Sequence, residues 1–173
     1  MNATSLNLKT PRLQLRKVEL SDGPFFLRLL NEPSWLQGIG DRGIRSIADA
    51  ETYIRNSIWT QYEAHGFGMY VLQRGSGDEC IGICGLVRRD FLSAPDLGFA
   101  LLPEWVGQGY ASEAALHVMS HARSQWHIER LFAIVKRENK RSLGMLQRLG
   151  FTFERPCVTP QGAELELYAA TLG

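Results

Sequence analysis

The run D-L-G-F-A-L-L-P-E-W-V-G-Q-G-Y-A-S-E, residues Asp96 to Glu113, decides the fold. It reads as a short apolar strand (Asp96 to Leu102), a break at Pro103, a turn carrying Gly107 and Gly109, and then a helix. Apolar residues recur at Ala111, Ala114, Ala115, Val118, Met119 and Ala122, the stripe of a helix packed on a sheet. Strand, Gly-rich turn and helix together make an anion-binding device. The glycines let the backbone approach closely, and the unpaired N–H groups of the first helical turn point at a negative group with the helix dipole behind them.

What the turn lacks narrows the anion. A P-loop has Lys and Ser/Thr directly after its last glycine, to reach the terminal phosphates and Mg²⁺; here Tyr110 and Ala111 stand there. A dinucleotide fingerprint has a third glycine and an acid about 20 residues further on. Ser112 takes the glycine's place, and no acid closes a strand at that distance. What remains is a pyrophosphate held largely by backbone, without metal.

Working outward, Arg12 to Val18 alternates polar and apolar like a half-buried strand. Ser21 is placed to cap a helix with Phe25, Phe26, Leu29 and Leu30 inside. Asn31 to Arg45 reads as a long loop. Ser46-x-x-Asp49 resembles a capping box opening a helix with Ile47, Ala50, Ile54 and Ile58 on one side. Phe67 to Gln73 and Cys80 to Val87 form a hairpin across R-G-S-G-D. After the main helix (Tyr110 to about Trp126), Arg130 to Lys136 is an apolar strand. Asn139 caps a helix that Gly150 ends, and Phe151 to Arg155 pairs with Glu164 to Thr171. The expected order is β-α-α-β-β-β-α-β-α-β-β, an α/β fold with a mixed sheet in one domain spanning residues 1–173.

V-G-Q-G-Y-A (Val106 to Ala111) resembles the Q/R-x-x-G-x-G/A acyl-CoA pyrophosphate loop of the GNAT superfamily of N-acetyltransferases. The longer run from Gly98 to Ala114 is similar to the branch that includes the ribosomal-protein N-terminal (RimJ/RimL-like) acetyltransferases. N-K-R-S-L-G-M-L-Q-R-L-G-F (Asn139 to Phe151) resembles the superfamily's N-x-x-S-x-x-x-L-x-x-L-G-F segment, and the T-P-R-L-Q-L-R start extends the likeness over nearly the whole chain. Val106 departs from the Gln, Arg or Trp usual at the loop's first position, which bears on one side-chain contact and leaves the backbone cradle intact.

The resemblance implies a sheet that splays between its fourth and fifth strands after a bulge, with the pantetheine arm of acetyl-CoA in the gap. Gly98 is compatible with such a bulge. It implies direct acetyl transfer from acetyl-CoA to a primary amine, without a metal or a covalent enzyme intermediate. The cofactor residues expected are Val106, Gly107, Gln108, Gly109, Tyr110, Ala111, Ser112 and Asn139 for the nucleotide half, and Phe99, Ala100 and Leu101 for the thioester. Ser142 is the candidate for protonating the departing thiolate, or a first-turn helix serine bonded to backbone. Asp96 is the candidate base acting through a water, or a solvated acid at a strand end; a chain of waters is the other source of basicity. Tyr110 reads as packing rather than as the acid, and Tyr168 as a weaker alternative acid.

Other residues keep two readings. Trp35, Trp59 and Tyr62 pack, or one of them lines an acceptor cleft; His65 also lies within reach of that cleft. Glu113, His117 and His121 have metal-ligand spacing but fall on the polar face, where Glu113 complements the helix dipole. Lys136, Arg137, Lys140 and Arg141 either solvate a helix end or meet the cofactor's 3′-phosphate. The acceptor is a protein N-terminus or a small amine; an amino-sugar drug or polyamine, or a CoA-binding module without turnover, are the alternatives.

Composition adds bounds. The chain has 173 residues, 45% of them hydrophobic, and a net charge of +1, so no overall field draws nucleic acid or anionic lipid. Cys80, Cys84 and Cys157 lack a disulfide or C-x-x-C spacing and read as reduced thiols. No apolar run reaches the ~20 residues that span a bilayer, and the polar start is unlike a signal peptide. The expectation is a cytoplasmic monomer or homodimer.

Overall fold

The computed structural model describes residues 8–173. One eight-stranded sheet, in the order β1-β2-β3-β4-β5-β6-β8-β7, separates two helical layers. Its front half is β1 (Leu8–Lys9), β2 (Leu13–Lys17), β3 (Met69–Arg74), β4 (Cys80–Val87) and β5 (Asp96–Leu101), all antiparallel neighbours. β6 (Arg130–Val135) joins β5 in parallel, and β8 (Glu164–Thr171) inserts between β6 and β7 (Thr152–Val158). The outer place of β7 explains why it runs through Pro156, beyond the expected end at Arg155: an edge strand has no ladder bond there for proline to break.

On one face lie α5 (Tyr110–Trp126) and α6 (Lys140–Arg148), packed through Ala114, Ala115, Val118, Ala122, Leu143 and Leu146. On the other lie α1 (Gly23–Leu29), α2 (Pro33–Gly38), and α3 (Ile47–Tyr53), which continues through a π-helical stretch (Ile54–Trp59) into α4 (Thr60–His65). Ala50, Ile54 and Ile58 are buried as expected, whereas Ile47 is exposed. Ser46 caps α3, accepting from Asp49 N at 3.0 Å.

Two local expectations change. Ser21 does not cap α1; the turn before it starts at Glu19, whose N–H donates to Asp22 Oδ2 at 2.8 Å, and Asp22 is buried against Arg16. Residues 31–45 are not all loop, because Pro33 starts the short helix α2 around buried Trp35. Trp59 and Tyr62 tie down the β2 end, through Trp59 Nε1 to Val18 O at 2.8 Å and Val18 N to the Tyr62 hydroxyl at 3.1 Å. These two aromatics are therefore packing residues. Among the described residues, no helix is long and apolar enough to cross a membrane.

Candidate active site

After β5, a 3₁₀ turn (Pro103–Trp105) leads into the Gly-rich loop. Gly107 and Gly109 both sit at φ +83°, in the left-handed region that glycine enters without strain. Together they turn the chain so that α5 begins at Tyr110. The first bond of helical pattern runs from Glu113 N to Gly109 O at 3.0 Å. Among the described residues, the amides of Gly107 to Ser112 therefore have no acceptor in the protein. Six consecutive free N–H groups at a helix start make an anion cradle.

A brace from β2 holds this loop, and the sequence did not announce it. Arg12 donates from Nη1 to Gln108 O at 2.9 Å and from Nε to Glu113 Oε2 at 2.7 Å, and its guanidinium lies 4.3 Å from the Tyr110 ring centroid. Glu113 also accepts from Thr10 Oγ1 at 2.5 Å and from Arg12 N at 2.9 Å. Burial favours the neutral acid there, but these donors outweigh it and hold the Glu113 carboxyl below the usual range. Tyr110 is buried against Trp105, which identifies it as a packing residue in its side chain.

Beside the cradle the sheet opens. β5 and β6 share a single ladder pair, Asp96↔Phe132, with Phe132 N on Pro95 O at 2.9 Å. Leu102 N donates to Ile81 O on the β4 side, so residues 96, 98 and 100 aim their backbone groups at β4. The backbone groups of Leu97, Phe99 and Leu101 consequently face β6, and past Phe132 no strand lies opposite Phe99 and Leu101. The expected bulge is absent: the β4–β5 register runs unbroken from Gly82↔Leu101 to Val87↔Asp96, and Gly98 lies over Met69 as an ordinary strand residue. The parting of the strands, rather than a bulge, frees the Phe99 and Leu101 amides. The Ala100 amide is spent on β4.

Across the gap, Asn139 caps α6, its Oδ1 accepting from Ser142 N at 3.3 Å. Ser142 is half-buried, and its hydroxyl has no partner among the described residues. Lys136 donates from Nζ to Gln37 O at 2.6 Å, and Gly38 lies against the Asn139 amide, so the end of α2 spans from its own layer to the end of β6. Lys136 is thus taken up within the protein, while Lys140 and Arg141 remain exposed.

Asp96 is not a solvated strand-end acid. It is 3% exposed and paired through Oδ1 with Arg89 Nε at 3.0 Å. Burial pushes its carboxyl up from the ordinary range, and Arg89 opposes that shift. Tyr168 lies in mid-strand opposite Ala133, with its hydroxyl on Glu166 at 3.3 Å, rather than at a cleft end. His65 stacks on Phe67. His117 Nδ1 is bonded to Glu113 O, and His121 packs edge-on against Trp126, so the histidines do not converge with Glu113. Among the described residues, no group of three or more His, Cys, Asp or Glu is placed to hold a metal ion.

A mixed sheet parted next to an amide cradle defines an α/β protein with a site for a phosphate-bearing ligand beside an open strand edge. Residues 12–152 match the model of the acetyltransferase (GNAT) domain, and the chain belongs to that family. It is an acetyl-CoA-dependent N-acetyltransferase. It is 27% identical to an uncharacterized N-acetyltransferase, p20, of Bacillus licheniformis, over 95% of this chain and 94% of that protein. Among solved structures, an acetyltransferase of Agrobacterium tumefaciens superposes with a TM-score of 0.81 at 25% identity, covering 95% of this chain and 93% of that one. The RimL ribosomal L7/L12 α-N-protein acetyltransferase in complex with coenzyme A shares the fold (TM-score 0.79, 20% identity, 94% and 95% covered). So does a chimera of the spermidine N-acetyltransferase SpeG from Vibrio cholerae (0.74, 15%, 92% and 95%).

Proposed function

We propose that the amides of residues 107–112 cradle the pyrophosphate of acetyl-CoA, that Phe99 and Leu101 face its thioester from the open edge of β5, and that Ser142 protonates the departing sulfur. The observation that carries this reading is the row of free amides from Gly107 to Ser112 beside the open β5 edge. Such donors are pre-oriented, so they hold an anion without reorganising. Asn139, whose Oδ1 is used for capping, keeps its amide N–H groups for the cofactor.

Acyl transfer forms a bond from the amine nitrogen to the acyl carbon and breaks the carbon–sulfur bond. One of the Phe99 and Leu101 N–H groups, which stand about 6.6 Å apart along the regular strand, donates to the acyl oxygen and stabilises its negative charge as the amine adds. The Ser142 hydroxyl, unpartnered within the protein, gives its proton to the thiolate. Asp96, with proton affinity raised by burial, takes up the proton released by the amine, directly or through water. Arg12 acts from beneath the cradle. In a trans peptide the C=O and N–H point in opposite directions, so Arg12, by holding Gln108 O, turns the Gly109 N–H towards the ligand side. It also neutralises Glu113, which would otherwise place a bare carboxylate in the first helical turn beside the bound phosphates. The acceptor is a primary amine, a protein N-terminus or a small molecule; the enzyme works in the cytoplasm as a monomer or homodimer.

Thermal unfolding with acetyl-CoA, CoA, NAD and ATP tests the cradle. A ligand at 100 times its Kd adds ~2.7 kcal/mol, so acetyl-CoA and CoA raise the melting point and NAD and ATP do not. Gly109→Val abolishes the shift, because a side chain at φ +83° is strained and its Cβ would come within 3.3 Å of Arg12 Nη2. A full shift in that variant contradicts the cradle.

A further inference from the structure

The sheet has a second face, which α5 does not occupy. Residues 96, 98 and 100 of β5 face that side, where Ala100 packs with the α1–α3 layer. The walls there are the end of α2, the 39–46 connection, α3 with its π stretch, and the β4–β5 connection. Their charges mostly cancel in place. Asp41 pairs with Arg45 at 2.5 Å, Asp49 accepts from Arg45 N at 2.9 Å at the start of α3, and Asp96 pairs with Arg89. Arg88 is spent on Leu92 O and Lys136 on Gln37 O. Arg42 is left over: exposed between Gly40 and Gly43, it has no hydrogen-bond or ion-pair partner among the described residues. Arg89 also keeps both terminal nitrogens, since only its Nε is engaged. Glu51 pairs with Arg55 at 3.7 Å, while Asp49 and Asp90 form no ion pair among the described residues; Asp90 is exposed and does not line the cavity described next.

Arg42 lines an open cavity of about 300 Å³ with Ile44, Tyr53, Asn56 and Ser57, and with Asp49, one of whose oxygens accepts from the Arg45 backbone N–H. Tyr53 joins this cavity to the catalytic wall. Its ring packs on Phe26, and its hydroxyl, without a hydrogen-bond partner among the described residues, lies in the field of both Arg42 and Arg89. The π stretch begins at the next residue and carries Asn56 and Ser57, and single π turns recur at ligand sites. Arg42, Tyr53, Asn56 and Ser57 thus share the cavity, and Tyr53 lies near both Arg42 and Arg89, the partner of Asp96.

Resting on the acetyltransferase reading above, we infer that the acceptor is an anionic amine, carrying a carboxylate that Arg42 binds with Asn56, Ser57 and Tyr53 while its amine points to Asp96. A polyamine brings no carboxylate for Arg42 to bind. The same chemistry is offered by a free acidic amino acid and by a peptide whose N-terminal residues are acidic, and separate assay arms tell these two sources apart.

The test is thiol release from acetyl-CoA by the full chain with L-glutamate, L-aspartate, a Glu-initiated peptide, its Gln-initiated counterpart and spermidine. At least one anionic acceptor exceeds both the Gln peptide and spermidine by about tenfold or more in kcat/KM, the scale of one charge-assisted contact. Arg42→Glu removes or inverts that ratio through acceptor KM, with the KM for acetyl-CoA unchanged. Arg42→Lys restores part of the ratio, which a purely structural role would not produce. Spermidine or the Gln peptide matching the best anionic acceptor overturns the inference, as does an unchanged ratio in Arg42→Glu. If acetyl-CoA stabilises the chain but no anionic amine is acetylated, the acceptor inference falls and the cofactor reading stands; if acetyl-CoA does not bind, both fall.

Discussion

Replacing Arg12 with alanine separates holding the fold from holding the cofactor. The substitution removes the 2.7 Å bond to Glu113 Oε2, the 2.9 Å bond to Gln108 O and the stacking on Tyr110, but it leaves the Thr10 hydroxyl and the residue-12 backbone N–H on Glu113. The Arg12 side chain is 43% exposed, so solvent screens the ion pair, and the stability lost is ~1 kcal/mol or less. Cofactor binding loses more. The Gly109 peptide is freed to rotate, and an under-compensated carboxylate now sits in the first turn, where a like charge faces the phosphates; together these cost about 1–2 kcal/mol. That corresponds to a roughly five- to thirtyfold rise in Kd for CoA. Isothermal titration with CoA, alongside kinetics with acetyl-CoA and with an acetylated pantetheine that lacks the pyrophosphate, reads the effect. The penalty falls on CoA and acetyl-CoA and spares the pantetheine thioester, and adding Glu113→Gln to the Arg12 variant recovers part of the affinity. An equal loss with the phosphate-free thioester, or an unchanged Kd with a lowered melting point, refutes the bracing argument and leaves Arg12 as a packing residue.

Two further outcomes follow from the site. Ser142→Ala lowers kcat at least tenfold with little change in the KM for acetyl-CoA, since general-acid help contributes about 10²–10⁴-fold; unaltered steady-state rates would remove Ser142 from the chemistry. Asp96→Asn abolishes the acid limb of the kcat/KM profile, and persistence of that limb shows that the proton leaves by water alone. In stability the same change has a definite sign. The folded pKa of Asp96 is raised, so the folded state holds its proton more tightly, and wild-type stability falls as pH climbs from the ordinary carboxylate value of 3.8 to the raised one. The asparagine variant lacks that slope, and urea unfolding across this window reads the difference.

How far the sequence revealed this site depends on how local each determinant is. The cradle was legible because two turn glycines and an alanine stripe at helical spacing sit within one short stretch, and Asn139 and Gly150 likewise announce both ends of α6 by themselves. The free amides of β5 were reached by the wrong route. A bulge was expected from Gly98, whereas the strand is regular and its outer edge is exposed because β6 departs after one pair, a property of how two distant strands diverge. Arg12 was read only as part of an alternating strand, since nothing in its neighbours shows that it will meet residues 96 and 101 positions away. The alternative reading of Asp96 as a solvated acid fails for a related reason: its burial is set by Arg89 and by the layer above, not by its place at the head of a strand. The π stretch is equally silent in the sequence, because Ile54 and Ile58 keep ordinary helical spacing while the backbone between them widens. The pattern has a physical reason. The proposed cofactor cradle is built from backbone, which local sequence dictates, whereas the proposed acceptor wall is built from side chains brought in by separate segments. Substitutions at Arg42 or Arg89 are therefore able to redirect the acceptor while leaving the cradle unchanged.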